Sequence, residues 1–300
     1  MAHSAIEPST VDHKILTFDV EDWFHLIDVP GSDERSWDSY ESRVESNLVM
    51  LLDMCRCSNV RATFFVLGWI ADRYPHIVRA IADDGHHVGC HSYSHKPIWA
   101  QTRTEFESDL VAALTAIANA TGQHPTAYRA PGFSLTRDSA WAFEILYRNG
   151  IRVDASLFAG RHAHGGWDDL NITGPANIRL PDGSILKEYP FIPSKVGFGI
   201  NLPLLGGGYF RLFPYFLLRR AIQNSGYAMS YFHPRDFDQN QPVVPNLSLI
   251  RQFRSYVGIK NAKNKLTKIL SAGNFISVED HQDLMCWESA PVISLGANLL

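Results

Sequence analysis

Five short stretches hold the side chains able to do chemistry. "TFDVED" sets Asp19, Glu21 and Asp22 at the end of an apolar run, and "HSYSH" holds His91 and His95. "RAPG" contributes Arg129 and Gly132, "DAS" contributes Asp154, and "YFHP" contributes His233. Carboxylates beside a core are costly unless a cation, a proton or hydrogen-bond donors compensate them. Two imidazoles four residues apart, on one face if the chain turns helically after His91, can share a metal ion. With one carboxylate they form a zinc-type donor set that leaves positions open for water. A second carboxylate then remains unligated as a base. Arg129 beside Asp19 would keep that base ionised and fix its rotamer. Asp154 and His233 could pair as carboxylate and imidazole, keeping the imidazole protonated as an acid. Each residue alone has a plainer reading, as a loop histidine among thirteen or a structural ion pair. Their joint occurrence is the functional signal.

Such residues act together only if the elements carrying them converge. Apolar runs at 14–20, 62–68, 87–92, 151–156 and in "AYRAP", "ILKEYPFIP", "YAMSYFHP" and "NFISVED" read as strands. Between them lie helical patterns, such as Val44, Leu48, Leu51, Leu52 and Cys55 on one face of "ESRVESNLVMLLDMC". Further helices are expected at about 138–148, 211–225 and 258–271, and residues 157–183 read as a long loop. This alternation predicts an α/β fold, a distorted (β/α) barrel of seven or eight parallel strands. In such a barrel the polar stretches all fall at the C-terminal strand ends, on one rim. With no internal repeat or Pro/Ser linker, residues 1–300 are expected to form a single domain, with a motif core at about 14–235 and an extension at 236–300.

Composition narrows the function classes. A formal charge of −4 and a pI near 6.3 argue against a nucleic-acid partner bound through phosphate neutralisation. Cys55, Cys57, Cys90 and Cys286 form neither a disulfide framework nor a zinc ribbon. No apolar run approaches the roughly 20 residues of a membrane span. "MAHSAIEPSTVD" lacks the basic start and apolar core of a signal peptide, so a cytoplasmic location is expected. Trp23, Trp99 and Trp167 lie in rim segments, where they could stack on sugar rings or simply pack. "GRHAHGGWDD" offers His162, His164, Asp168 and Asp169 as a rival metal site, on a glycine-rich loop poorly preorganised for one.

In order and spacing, "TFDVED", "HSYSH", "RAPG", "DAS" and "YFHP" resemble the five motifs of the polysaccharide deacetylases, carbohydrate esterase family 4. "LGGGYFRLFPYFLLRR" and "YFHPRDFD" are similar to a branch found with bacterial exopolysaccharide and exosortase gene sets. The resemblance implies a distorted barrel and metal-dependent removal of N-acetyl groups from amino-sugar glycans, with a divalent ion, zinc by preference. It implies Asp19 as catalytic base, His91 and His95 as metal ligands, and Arg129 as the residue holding the base. It likewise implies His233 as catalytic acid, Asp154 as the partner of that acid, and the Gly132 N–H as an oxyanion donor. The family motif has two adjacent aspartates, but Val20 stands at the second position here. The carboxylate ligand must then be Glu21 or Asp22. Strand alternation puts Glu21 on the face of Asp19, whereas the shorter Asp22 suits a chain already leaving strand geometry; Asp22 is the expected ligand. A hydrolase of another amide, such as a cyclic imide or ureide, and a non-catalytic sugar-binding module are the competing readings.

Overall fold

The computed structural model describes residues 13–27, 34–196, 200–244 and 247–295. The segment read above for a signal peptide, 1–12, lies outside them. An eight-stranded sheet runs through the molecule, built from β1 (Thr17–Val20), β2 (Thr63–Val66), β3 (His87–Cys90), β4 (Ala127–Tyr128), β5 (Val153–Asp154), β6 (Ala176–Arg179), β7 (Ile185–Glu188) and β8 (Val292–Ser294). The spatial order is β8-β6-β7-β5-β4-β3-β2-β1. All neighbours pair in parallel except β6 and β7, which form an antiparallel hairpin. Helices cover the sheet, among them α1 (Val44–Ser58), α2 (Pro75–Asp83), α3 (Arg103–Thr121) and α4 (Ala142–Arg148). This is the expected barrel-like α/β fold with eight strands. The hairpin is a departure, because residues 157–183 contain β6 where a loop was read.

Alternation along β1 sorts its side chains. Phe18 and Val20 join the large cluster under the helices, where Phe18 stacks on Phe64 at 4.9 Å. Ile15 joins a smaller inner cluster with Phe65, Val153, Phe191 and Met229. Thr17 and Asp19 share that inner side, both receiving hydrogen bonds from Arg129. The free edge of β1 is covered by residues 228–232, running parallel to it. Ser230 N–H donates to the Ile15 carbonyl at 2.9 Å, and Asp19 N–H to the Phe232 carbonyl at 2.7 Å. These bonds satisfy an otherwise exposed edge and bring His233 beside Asp19.

The second half adds α5 (Gly207–Leu212), α6 (Tyr215–Gln223), α7 (Leu249–Tyr256) and α8 (Ile259–Ala272). The single helix expected over 211–225 is broken between α5 and α6, because Pro214 cannot supply the amide that a continuous helix needs there. Lys265 of α8 ties α5 down through its Nζ, which donates to the carbonyls of Phe210, Arg211 and Phe213.

Candidate active site

β1 ends at Val20, yet the chain stays extended long enough for Glu21 to follow Asp19 inward. Its carboxylate meets His91 Nε2 at 3.1 Å and His95 Nε2 at 2.8 Å, and all three side chains are buried. Glu21, His91 and His95 are a metal-capable group among the described residues. His91 Nδ1 lies 2.8 Å from the Arg129 carbonyl, a contact that orients the ring with Nε2 toward Glu21. His95 Nε2 is buried and makes no hydrogen bond despite its closeness to Glu21. A buried nitrogen so oriented lacks a partner. Bonds of about 2.0–2.1 Å place tetrahedral ligand atoms roughly 3.3 Å apart, close to the spacings seen. The residues fit a divalent ion. Burial works to raise the Glu21 pKa, but His95, His233 and His91 together hold it well below the ordinary carboxylate value.

His91 and His95 converge without the helical turn expected. Ser92 and His95 take left-handed backbone angles, φ 68° and 54°, and Ser92 Oγ accepts the His95 N–H at 3.0 Å. This tight turn returns the second imidazole to the first.

Asp22 is corrected. Its carboxylate turns away from the cluster and accepts hydrogen bonds from Ser42 Oγ at 2.6 Å, Arg43 N–H at 2.9 Å and Val44 N–H at 3.2 Å. Those amides begin α1, whose first donors have no helical partner. Asp22 is therefore a helix cap supplied from a distant segment. Burial raises its pKa, against those same hydrogen bonds. Asp22→Ala should lower unfolding stability by about 1–2 kcal/mol, measured by denaturant titration, with bound metal unchanged. Loss of the metal from the folded variant would contradict this assignment.

The expected contact between Arg129 and Asp19 is present. Arg129 Nη1 donates to Asp19 Oδ1 and to Thr17 Oγ1, both at 2.7 Å, and its Nε donates to the Ala155 carbonyl at 3.2 Å. The guanidinium is fully buried and lies over the Phe65 ring at 4.3 Å. Asp19 is thus fixed in rotamer and paired.

Asp154 does not pair with His233. It is buried on β5, where Ser156 N–H and Oγ donate to it at 3.0 and 2.7 Å. Its cross-strand neighbour is Glu188 on β7. Two buried carboxyls so close disfavour joint ionisation; burial first, then Asp154, push the Glu188 pKa well up. The partner of His233 is Asp236, which accepts from His233 Nδ1 at 3.2 Å and from its N–H at 2.9 Å. Arg211 stands behind, 3.3 Å from Asp236, and donates to the Arg254 and Ser255 carbonyls. Burial opposes the charge on Asp236, but Arg211 and His233 outweigh it, bringing the pKa down to about 2. Burial likewise works to lower the His233 pKa. Glu21 and Asp236 outweigh it and raise the value to about 9. Its Nε2 lies 3.7 Å from Glu21.

Asp19, Glu21, His95 and His233 open into one cavity of about 420 Å³. Gly132 and Phe133 form part of its wall, with consecutive left-handed angles of φ 60° and 51°. A Cβ at Gly132 would lie 2.7 Å from Ile27 Cδ1, the movable end of a side chain, so the left-handed backbone angle is the main reason for glycine there. His162 and His164 also line the cavity. Asp168 and Asp169 pair instead with Arg161 and Arg137, which dismantles the rival metal site. Trp23 and Trp167 are buried, whereas Trp99 is half exposed and donates its indole N–H to the His164 carbonyl. Of these three only Trp99 is exposed.

His25 is a cavity residue that the sequence did not single out. Its Nδ1 accepts the Asp22 N–H at 2.9 Å, so the proton of the neutral ring sits on Nε2. That Nε2 is buried without a protein partner. Burial, then His95, holds the His25 pKa well down, and the ring is a neutral donor. Asp236 and Arg211 were also missed, although Asp236 lies three residues after His233 in "HPRD", a spacing at which side chain and backbone meet.

The eight-stranded barrel-like fold thus carries a His-His-carboxylate group at its rim. Residues 12–149 match the model of the polysaccharide deacetylase family. Residues 155–282 match a domain of unknown function, DUF3473. A Bacillus cereus peptidoglycan-N-acetylglucosamine deacetylase is 35% identical over 95 residues, covering 31% of this chain and 34% of that protein. A chitooligosaccharide deacetylase from Rhizobium leguminosarum bv. trifolii is 28% identical over 166 residues, 55% of this chain and 72% of that one. The chain thus spans about a third of the length of the Bacillus relative. A crystal structure from Mycobacterium smegmatis, assigned to the polysaccharide deacetylases, superposes with a TM-score of 0.64 at 20% identity. It covers 97% of this chain and 96% of that one, and so shares the fold across both matched regions.

Proposed function

We propose that this protein is a metal-dependent deacetylase of N-acetylated amino-sugar glycans. The observation that carries the reading is one cavity bearing Glu21 with two metal-capable imidazoles, the Arg129-held Asp19, and the Asp236-backed His233. Glu21, His91 and His95 would hold the ion, with zinc suited to two imidazoles and one carboxylate. Such an ion supplies Lewis acidity, lowering the pKa of bound water and polarising a carbonyl. Asp19, held in place by Arg129, accepts the proton of the attacking water. The N–H of Gly132 stands to stabilise the oxyanion of the acetamide, a role worth about 3 kcal/mol per donor. His233 gives its proton to the leaving amine, and acetate departs from a free amino sugar. Asp236 fixes the imidazole and favours its charged form. Trp99 offers a face for a neighbouring sugar ring.

The test is acetate release from N-acetylchitooligosaccharides and from peptidoglycan fragments, with and without chelation. Activity should vanish on chelation and return with Zn²⁺. Sugar binding without acetate release, in metal-loaded protein, would make the chain a binding module. Turnover of cyclic imides or ureides alone would assign it to a different amide.

A further inference from the structure

Charge is distributed unevenly along this chain. Residues 201–278 contain ten Lys and Arg against two carboxylates, while the remainder contains seventeen against twenty-nine. Both carboxylates of the basic segment, Asp236 and Asp238, are buried and paired with Arg211 and Arg43. Arg219, Arg220, Arg254, Lys260 and Lys268 are exposed. The exposed charges named in this segment are therefore all cationic, while the rest of the chain carries a net negative charge.

α7 lies in that segment and behaves unlike the other helices. None of its residues is buried. Leu249, Ile250 and Phe253 project outward at 83, 67 and 57% exposure. On the same helix Arg251, Arg254 and Ser255 line the active-site cavity. The helix beneath it, α5, ends in the exposed Leu212, and the next, α6, exposes Phe216. A soluble surface gains nothing by holding large aliphatic and aromatic side chains in water, and such patches mark contact sites.

We propose that this face docks on an anionic lipid bilayer, with α7 lying in the interface and the cavity opening toward the membrane surface. The occupant is chosen by combining two features. Exposed apolar side chains insert at the headgroup–acyl boundary, and clustered Lys and Arg meet anionic headgroups. An anionic glycan would satisfy the cations but leave Leu249, Ile250 and Phe253 in water. A second copy of this chain would bring two cationic faces together. The inference rests on the deacetylase reading in one respect: the substrate would be an acetamido glycan presented at a membrane, as on a lipid carrier.

The experiment is sedimentation of the full chain with vesicles, either pure phosphatidylcholine or equal parts phosphatidylcholine and phosphatidylglycerol. Acetate release from a soluble chitooligosaccharide is measured in parallel. Wild type should bind the anionic vesicles, less well at high salt. The triple variant Leu249→Ser, Ile250→Ser, Phe253→Ser should bind roughly tenfold less or worse with unchanged soluble-substrate activity. Arg219→Glu with Arg220→Glu, on a separate helix, should weaken binding as well and serves if the triple variant misfolds. Absence of wild-type vesicle binding overturns the docking, as does unaltered binding by the folded variants. So does retention on a soluble anionic polysaccharide without vesicle binding, or a dimer that the triple variant dissociates. Vesicle binding without acetate release would support the docking and count against the deacetylase alone.

Discussion

Glu21→Gln should strip the divalent ion from a folded chain and abolish acetate release, while Asp22→Ala leaves both in place. Glu21 supplies the sole carboxylate of the cluster with His91 and His95, and it is buried against both imidazoles. A neutral amide there removes the anionic donor that balances a dication. Changing groups merely behind metal ligands already costs about 10–100-fold in affinity, so losing the ligand should cost roughly a hundredfold or more. Metal per chain, measured after dialysis against limiting Zn²⁺, separates the two residues. If Asp22→Ala loses the ion and Glu21→Gln keeps it, the geometry described above is wrong. Added Zn²⁺ should also raise the Tm of wild type, because binding only the native state stabilises it by mass action. Glu21→Gln should show little of that shift.

The choice between these two carboxylates shows what the sequence could and could not say. Period-2 alternation from Asp19 points to Glu21, whereas Asp22 suits a chain that leaves strand geometry at once. The chain does leave β1 after Val20, but one residue too late to spoil the alternation. The role of Asp22 depended on where α1 begins, some twenty residues on, and no local pattern carries that. The pairing of His91 with His95 was legible because His-x3-His beside a carboxylate strand end is a chemical pattern. Their turn was not, since Ser92 and His95 adopt left-handed angles usually signalled by Gly or Asn. Strand β6 was hidden by the Gly, Asn, Asp and Pro around it, and with it the β6–β7 hairpin. That hairpin places Glu188 beside Asp154. Asp154 was therefore misread through a non-local contact, whereas Asp236 stood within reach of His233 in plain sequence.

The second large effect concerns proton delivery. His233→Ala should lower kcat for deacetylation by about 10²–10⁴-fold, the usual range for a positioned general acid, with a far smaller change in KM. The defect should depend on the leaving group. An amine must be protonated as the C–N bond breaks, whereas 4-nitrophenolate departs as an anion. His233→Ala should therefore retain most of its hydrolysis of 4-nitrophenyl acetate, since Asp19, Arg129 and the Glu21 cluster remain. Asp236→Ala should follow the same split more weakly, because the imidazole persists but loses the carboxylate that orients it at 3.2 Å. That variant also leaves Arg211 buried without its counter-charge, so stability should fall together with rate. Asp154→Asn provides the contrast: it leaves His233 and Asp236 untouched and should spare the leaving-group dependence. Equal loss on amide and aryl ester in His233→Ala would remove His233 from the acid role and make it a binding or positioning group. A leaving-group split in Asp154→Asn, absent in Asp236→Ala, would return the partnership to Asp154 against the geometry of the two side chains.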